Sequence, residues 1–186
     1  MSDLTKACSF TGYRPDKFDF DFNPSSSEYR AFENKLVEAI FKINSEGYTD
    51  FYCGMAYGFD ILAGEAVDLL KRARPDKIRL IAVVPFEKQA NAWSDDWKKR
   101  YSALLSRADR IVYISREYYK DCYHKRNRYM VDNSDTVITY FDGKSGGTAA
   151  TLRYAKTKQK RIVNIAEIED EQIYFSPYII CDDEDI

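Results

Sequence analysis

Two glycine-rich segments of this sequence have the residue types of phosphate-binding loops. One runs from Gly54 to Asp60 with glycines four positions apart, and the other runs from Asp142 to Thr148 with three glycines. Each follows an apolar, strand-like run and leads into a helical pattern, so each would place free backbone amides at a helix N-terminus, where the helix dipole favours an anion. The ligand contacts predicted in these two segments are Gly54, Gly58, Gly146, Gly147 and Thr148.

The residues that follow two other strand-like runs extend this candidate site. In an open parallel sheet the ligand crevice lies beyond the carboxyl ends of the strands, so residues directly after a strand are the ones to consider. One such segment follows the first apolar run, and another follows the run at 78–84. Their candidate ligand contacts are Thr11, Gly12, Arg14, Pro85 and Gln89.

Two arginines and two carboxylates carry the charges that such a site would use. We expect Arg14 and Arg126 to neutralise phosphate groups and to face one crevice, although they lie far apart in the sequence. Asp60, in the first turn of a predicted helix, is equally well explained as a residue favoured by the helix dipole or as an acceptor for a ribose hydroxyl. The candidates for a hydrolytic reaction are Glu87, Asp60 and Arg126.

Several common catalytic and cofactor motifs are incomplete or missing. Gly143-Lys144-Ser145 is similar to the end of a P-loop, but Ile138 stands where its first glycine is required. No G-x-G-x-x-G follows the first strand, which argues against a nicotinamide-dependent dehydrogenase. His124, the only histidine, is interpreted as a surface or structural residue. The four cysteines stand far apart without a C-x-x-C pair, so we expect neither a zinc site nor a disulfide framework.

The elements that must position these residues alternate between strand and helix. Strand-like runs are predicted at 7–11, 51–53, 78–84, 110–114, 136–141 and 162–165. Helices are predicted at about 26–46, 59–72, 93–105, 123–133 and 148–157. Ser25 and Glu28 have the spacing of a capping box at the start of the first helix. This alternation predicts an α/β fold with a mostly parallel sheet and helices on both faces.

Length, composition and charge are those of one globular domain. The 186 residues are 45% hydrophobic and 31% charged, with a formal net charge of -2. There is no overall cationic field to recruit nucleic acid or an anionic membrane, although one cluster of cations could form a local basic patch. The members of that cluster are Lys125, Arg126, Arg128, Lys156, Lys158, Lys160 and Arg161.

Neither the apolar segments nor the cysteines indicate a location outside the cytoplasm. The apolar run at 80–84 is far shorter than the roughly 20 residues of a membrane span, and residues 1–10 lack the apolar core of a signal peptide. We therefore expect a cytoplasmic protein without a membrane partner. Aromatic residues make up 15% of the chain, and most are expected in the core. Tyr118 and Tyr119 could form an interface, with a second copy or another protein, as readily as they could belong to the core.

Four segments together resemble a known family. They are Cys8-Ser9-Phe10-Thr11-Gly12-Tyr13-Arg14-Pro15, the segment from Gly54 to Asp60, Pro85-Phe86 with Gln89 and Trp93, and the segment from Arg126 to Asp132. Their combination resembles the YpsA-type family of the SLOG superfamily, over about residues 6–166. The resemblance implies a single Rossmann-like nucleotide-binding domain at 1–166, followed by an irregular acidic extension at 167–186. The implied ligand is a nucleotide or a derivative similar to ADP-ribose or a nucleoside monophosphate, and the implied role is a binding or sensor domain.

Related LOG proteins hydrolyse nucleoside monophosphates between base and ribose, and they carry R-x-x-x-M followed by P-G-G-x-G-T-x-x-E. Arg126 and Met130 match the first motif, and Gly147 with Thr148 matches part of the second, but Thr151 occupies the glutamate position. Threonine cannot serve as a carboxylate base or stabilise a ribosyl cation, so the sequence favours binding over catalysis. A nucleotide hydrolase or N-glycosidase is the alternative, and DNA binding similar to that of DprA is a weaker one.

Overall fold

A six-stranded sheet forms the centre of the protein. The computed structural model describes residues 6–75 and 77–166, and the predicted acidic extension lies outside them. The strands are β1 Lys6–Thr11, β2 Tyr48–Cys53, β3 Arg79–Val84, β4 Arg110–Tyr113, β5 Thr136–Thr139 and β6 Arg161–Asn164. All neighbouring strands are parallel, in the order β4-β3-β2-β1-β5-β6. The predicted α/β class and Rossmann-like arrangement are confirmed.

Five helices cover the two faces of the sheet. They are α1 Ser27–Ser45, α2 Phe59–Ala73, α3 Asp95–Arg107, α4 Cys122–Asp132 and α5 Gly147–Thr157. Leu36, Ile61 and Leu104 bring α1, α2 and α3 into one core cluster with the sheet. Met130 and Leu152 bring α4 and α5 into separate clusters on the sheet's other side. Of the helices in the described ranges, none is long and apolar enough to cross a bilayer.

Two element boundaries differ from the prediction for identifiable reasons. The N-cap of α1 is Ser26, whose hydroxyl accepts a hydrogen bond from the Tyr29 amide at 3.2 Å, so the capping box predicted at Ser25 is wrong. The fifth strand ends at Thr139 rather than at Phe141. The Asn164 side chain binds both the amide and the carbonyl oxygen of Phe141, at 3.0 and 2.8 Å, and so replaces the strand pairing there.

The strand order creates a switch point between β1 and β5. The chain from β1 builds the sheet toward β4, and the connection through α4 then returns it to the other side of β1. Connections leave the two neighbouring strands in opposite directions, which opens a crevice beyond their carboxyl ends. Thr11 and Thr139 are paired at those ends. The segments after these two residues are therefore the walls of the candidate site.

A cluster of aromatic rings fixes the segment that follows β1. Phe18 packs against Phe20, Phe22 and Phe32 with ring centroids 4.8 to 5.2 Å apart. Tyr140, directly after β5, lies 4.9 Å from the Phe18 ring. Aromatic contacts of this kind stabilise beyond the area they bury. The two segments bordering the switch point are therefore held against each other, and the prediction that aromatic residues mainly form core is confirmed for this group.

Candidate functional site

A buried ion pair lies beneath the first glycine-rich segment. Arg126 of α4 and Asp60 of α2 are 5% and 7% exposed, and Nη1 of the arginine lies 3.2 Å from Oδ2 of the aspartate. The same Nη1 donates to the carbonyl oxygen of Gly54. Burial raises the pKa of the Asp60 carboxyl, while the charge of Arg126 and a hydrogen bond from the Ala56 amide limit the rise. The charge of Arg126 is thus matched by a protein carboxylate.

The first glycine-rich segment is largely closed by the protein itself. The Phe59 amide, first in α2, donates to the carbonyl oxygen of Tyr13 at 3.0 Å, and the Ala56 amide is 3.4 Å from Asp60 Oδ2. Gly58 has a φ of 95°, and a Cβ there would lie 2.7 Å from the Tyr13 carbonyl oxygen. Two amides that could bind a phosphate therefore already have protein acceptors.

The close approach at Gly54 has a structural reason of its own. A Cβ on this residue would lie 2.6 Å from Asp60 Oδ2 and would also overlap the Arg126 guanidinium. Met55, the next residue, is fully buried with a φ of 59°, a strained conformation for a side chain of this kind. Its carbonyl oxygen accepts from Gln89 Nε2 at 3.1 Å. Gln89 and Arg126 thus hold this loop from two sides.

The second glycine-rich segment is open. Gly146 and Gly147 at the start of α5 are exposed, and a Cβ on Gly147 would meet no atom within 4 Å. Thr148 anchors the helix to the switch point, because its hydroxyl donates to the carbonyl oxygen of Gly12 at 2.9 Å. Lys17 brings a cation to this place, with Nζ 3.5 Å from the Ser145 carbonyl oxygen. The N-terminus of α5 therefore combines exposed glycines, the helix dipole and a neighbouring lysine.

Arg14 follows β1, which lies in the sheet between β2 and β5, the two strands that lead into the glycine-rich segments. Its guanidinium stacks over the Tyr57 ring, 4.3 Å from the ring centroid, and its charge opposes the rise that burial causes in the pKa of Asp60. Arg14 and Arg126 thus act on the same carboxylate. The two differ in access, because Arg14 is partly exposed whereas Arg126 is buried.

The other predicted contacts divide into buried and exposed residues. Thr11 and Pro85 are buried at strand ends, whereas Glu87 is exposed on the loop after β3. Gly12 is required by packing, because a Cβ there would lie 2.6 Å from Cδ1 of the Phe59 ring. Thr139 Oγ1 is buried at the switch point and has no hydrogen-bond partner among the described residues.

Thr151 belongs to the contact between α4 and α5. Its hydroxyl donates to the Gly147 carbonyl oxygen at 2.8 Å and accepts from Asn127 Nδ2 at 2.8 Å. Arg126, one residue earlier on α4, turns instead toward Gly54 and Asp60. Thr151 therefore contacts the neighbour of Arg126 rather than Arg126 itself.

A cavity of about 430 Å³ opens next to the switch point. Tyr140 donates to Asp19 Oδ1 at 2.8 Å, and Asp142 accepts from Tyr13 at 2.6 Å and from Lys144 at 2.7 Å. Burial acts to raise the pKa of Asp142, but hydrogen bonds from Lys144 and Tyr13 outweigh it and lower the value. The residues that line the cavity are Asp19, Tyr140, Phe141, Asp142, Gly143 and Ala166.

Sequence reasoning missed this cavity and Lys17. The available signal was the alternation Phe18-Asp19-Phe20-Asp21-Phe22, which places aromatic rings on one side and carboxylates on the other. The described residues contain no group of three His, Cys, Asp or Glu side chains suited to a metal ion.

The predicted basic patch is not continuous. Arg126 is buried, Arg161 pairs with Glu46, and Lys158 lies 3.8 Å from Asp132. Arg128 and Lys158 both lie over the Tyr154 ring. Including Arg126 in this patch was wrong, because its side chain is buried and forms an ion pair with Asp60.

Comparison with known proteins identifies the family. A sequence model described as the YspA SLOG family matches residues 8–173. The chain belongs to this family. One relative is the SPbeta prophage-derived protein YoqJ of Bacillus subtilis, 33% identical over 137 residues that cover 67% of this chain and 80% of YoqJ. Another is a UPF0398 protein of Halalkalibacterium halodurans, 29% identical over 84% of this chain and 83% of the relative.

Two solved structures share the fold of this SLOG family member. DNA processing protein A from Helicobacter pylori has a TM-score of 0.55 and 18% identity, covering 84% of this chain and 63% of that protein. DprA from Streptococcus pneumoniae has a TM-score of 0.55 and 16% identity, covering 85% and 49% respectively. The chain thus spans about half to three fifths of these structures, and at such identity the likeness shows the fold alone.

Proposed function

We propose that this protein is a cytoplasmic binding or sensor domain for a phosphorylated nucleoside. The observation that carries the proposal is the open N-terminus of α5, which stands at the β1–β5 switch point beside a cavity of about 430 Å³. Clefts of this size and place are the usual ligand sites of open α/β sheets. In this reading Gly146, Gly147 and Thr148 bind the phosphate through their amides, and Lys17 and Arg14 contribute positive charge.

Replacing Gly147 by valine is expected to abolish nucleotide binding while the fold is kept. The glycine has free space around it, so a side chain is accommodated but blocks the approach of a phosphate to the α5 amides. Thermal unfolding would be followed with AMP, GMP, ADP and ADP-ribose. A nucleotide at about 100 times its dissociation constant should stabilise the wild type by about 2.7 kcal/mol and the variant by almost nothing.

The control is Ser27→Val, which introduces the same side chain at the exposed first residue of α1. This variant should keep the full ligand-induced shift. Equal ligand-induced thermal shifts in Gly147→Val and wild type would show that the N-terminus of α5 is not part of the binding site. The absence of a thermal shift with all four compounds would overturn the proposed function.

Hydrolysis of the ligand is not part of the proposal, because Thr151 is engaged with Asn127 and Gly147 and supplies no carboxylate. We expect purified protein to release no free base from AMP or GMP above a buffer control, measured by chromatography. Base release that is lost on Glu87→Gln, but kept on replacement of the exposed Glu117 by Gln, would establish the hydrolase alternative.

A small nucleotide ligand fits this surface better than a DNA strand. The DNA processing protein A of Helicobacter pylori binds single-stranded DNA. Strand binding needs cations that follow the nucleic-acid backbone, and in this chain Arg126 and Arg161 are paired with carboxylates. Salt-dependent binding of an oligonucleotide, without competition from the mononucleotides, would favour the DNA alternative.

A further inference from the structure

We propose that the cavity beside α5 recognises the ribose of the ligand through Asp19, so that the protein prefers ribonucleotides to 2′-deoxyribonucleotides. This inference rests on the proposed function, because the phosphate at the N-terminus of α5 determines which part of the ligand reaches the cavity. It replaces Asp60, the residue that the sequence had offered as the ribose acceptor, with a carboxylate on a different segment.

Asp60 is poorly suited to accept from a ligand. It is 7% exposed, and its Oδ2 already has the Arg126 guanidinium at 3.2 Å and the Ala56 amide at 3.4 Å. A hydroxyl from a ligand would have to compete with these buried partners. Asp19, which lines the cavity, is instead exposed to an incoming group.

Asp19 has the free acceptor. Its Oδ1 accepts from Tyr140, and no described residue is bonded to its Oδ2. The other carboxylate of the cavity, Asp142, is occupied on Oδ1 by Tyr13 and on Oδ2 by the Lys144 ammonium. A carboxylate oxygen without a partner is a strong acceptor for a sugar hydroxyl. The ribose is therefore assigned to Asp19, with Asp142 as a neighbouring wall.

The tyrosine next to Asp19 keeps this acceptor in place. Burial, followed by the nearby Asp19 carboxylate, raises the pKa of Tyr140, so the phenol stays protonated and donates to Asp19. The Tyr140 ring is itself held by Phe18 and Phe32, with centroids 4.9 and 5.5 Å away. Asp19 is thus fixed from one side, while its second oxygen has no hydrogen-bond donor among the described residues.

The phosphate and the cavity are close enough for one nucleotide. Gly143 lines the cavity and Gly146 caps α5, so the two places are three positions apart in the chain and their backbones are at most about 10 Å apart. A Cβ on Gly143 would meet no atom within 4 Å, which leaves this wall open. The aromatic side chains Tyr140 and Phe141 supply apolar surface for the carbon atoms of the sugar.

Titration calorimetry with two matched nucleotide pairs tests the inference. The pairs are AMP with 2′-deoxy-AMP and GMP with 2′-deoxy-GMP, so that each comparison changes one hydroxyl. Wild-type protein should bind the ribonucleotide about tenfold more tightly, as expected for one hydrogen bond to a charged acceptor. Asp19→Ala should bring the affinity ratio to about 1 by weakening the ribonucleotide only, because the phosphate contacts are unchanged.

The control is Asp16→Ala, which removes the same charge from the exposed turn three residues earlier. It should keep the wild-type ratio, since Asp16 does not line the cavity. Equal binding of both members of each pair, still lost in Gly147→Val, would overturn the ribose assignment and leave the proposed function standing. A tenfold preference that persists in Asp19→Ala would also overturn it. Absence of binding by all four nucleotides would overturn the ribose assignment, and it would overturn the proposed function as well if ADP and ADP-ribose also give no thermal shift.

Discussion

Gly54→Val is expected to lower the free energy of unfolding by about 3 to 5 kcal/mol, which is the cost of breaking a buried ion pair. A Cβ at this position would lie 2.6 Å from Asp60 Oδ2 and would overlap the Arg126 guanidinium. Both charged groups would have to move apart in a site without room for water to replace the lost contacts. Chemical denaturation of wild type and variant, compared at equal m-values, measures the difference.

Gly147→Ala is the matched glycine control for this stability measurement. Its added Cβ meets no atom within 4 Å, so the change should stay within about 0.5 kcal/mol. A Gly54 variant as stable as the Gly147 variant would mean that the ion pair can rearrange around a side chain. The two glycine-rich segments, which look alike in the sequence, are thus expected to respond oppositely: one through folding, the other through ligand binding.

Arg126→Met should destabilise the protein by about 3 to 5 kcal/mol near pH 8 and by clearly less near pH 5. The methionine fills similar space but leaves the Asp60 carboxylate buried without its partner. Burial already raises the pKa of Asp60, and Arg126 is the main group that opposes the rise. Removing the arginine therefore raises this pKa further.

The direction of the pH effect follows from the raised pKa. A carboxyl whose pKa is higher in the folded state favours folding when it is protonated, and it opposes folding as the pH rises through that value. Acidification should therefore recover part of the stability that Arg126→Met loses. Arg128→Met, on the exposed side of the same helix, should show a small and nearly pH-independent change. A deficit of Arg126→Met that is the same at both pH values would contradict the assignment of Asp60 as its partner.

The alternation of strands and helices was predictable because it depends on local periodicity. The buried run at 80–84 is continuous in apolar character, as strands covered on both faces require. The error at the end of β5 arose because a side chain from another strand decided the outcome. Asn164 ends β5 by binding the backbone of Phe141, and no local pattern around Phe141 indicates that contact.

The site was harder to predict than the fold because its residues are chosen by contacts between distant segments. Glycine spacing indicated two similar helix starts, but only the tertiary structure shows that Tyr13 closes α2 while α5 remains open. Arg126 and Asp60 were both singled out by type and position, yet their partnership spans 66 positions and replaces the separate roles assigned to them. Asp19 was indicated only by the alternation from Phe18 to Phe22, and its hydrogen bond with Tyr140 joins segments 121 positions apart.

The central place of β1 also affects how the chain acquires its structure during synthesis. This strand needs β2 on one edge and β5 on the other, and residues 136–139 leave the ribosome long after residues 6–11. Until then one edge of β1 has no hydrogen-bonding neighbour, and Ala7 lacks its packing against Met130 of α4. Long-range parallel pairing of this kind is slow to form and leaves unpaired strand edges that promote association between chains. The nascent protein therefore exposes an unpaired strand edge in what becomes the middle of the finished sheet.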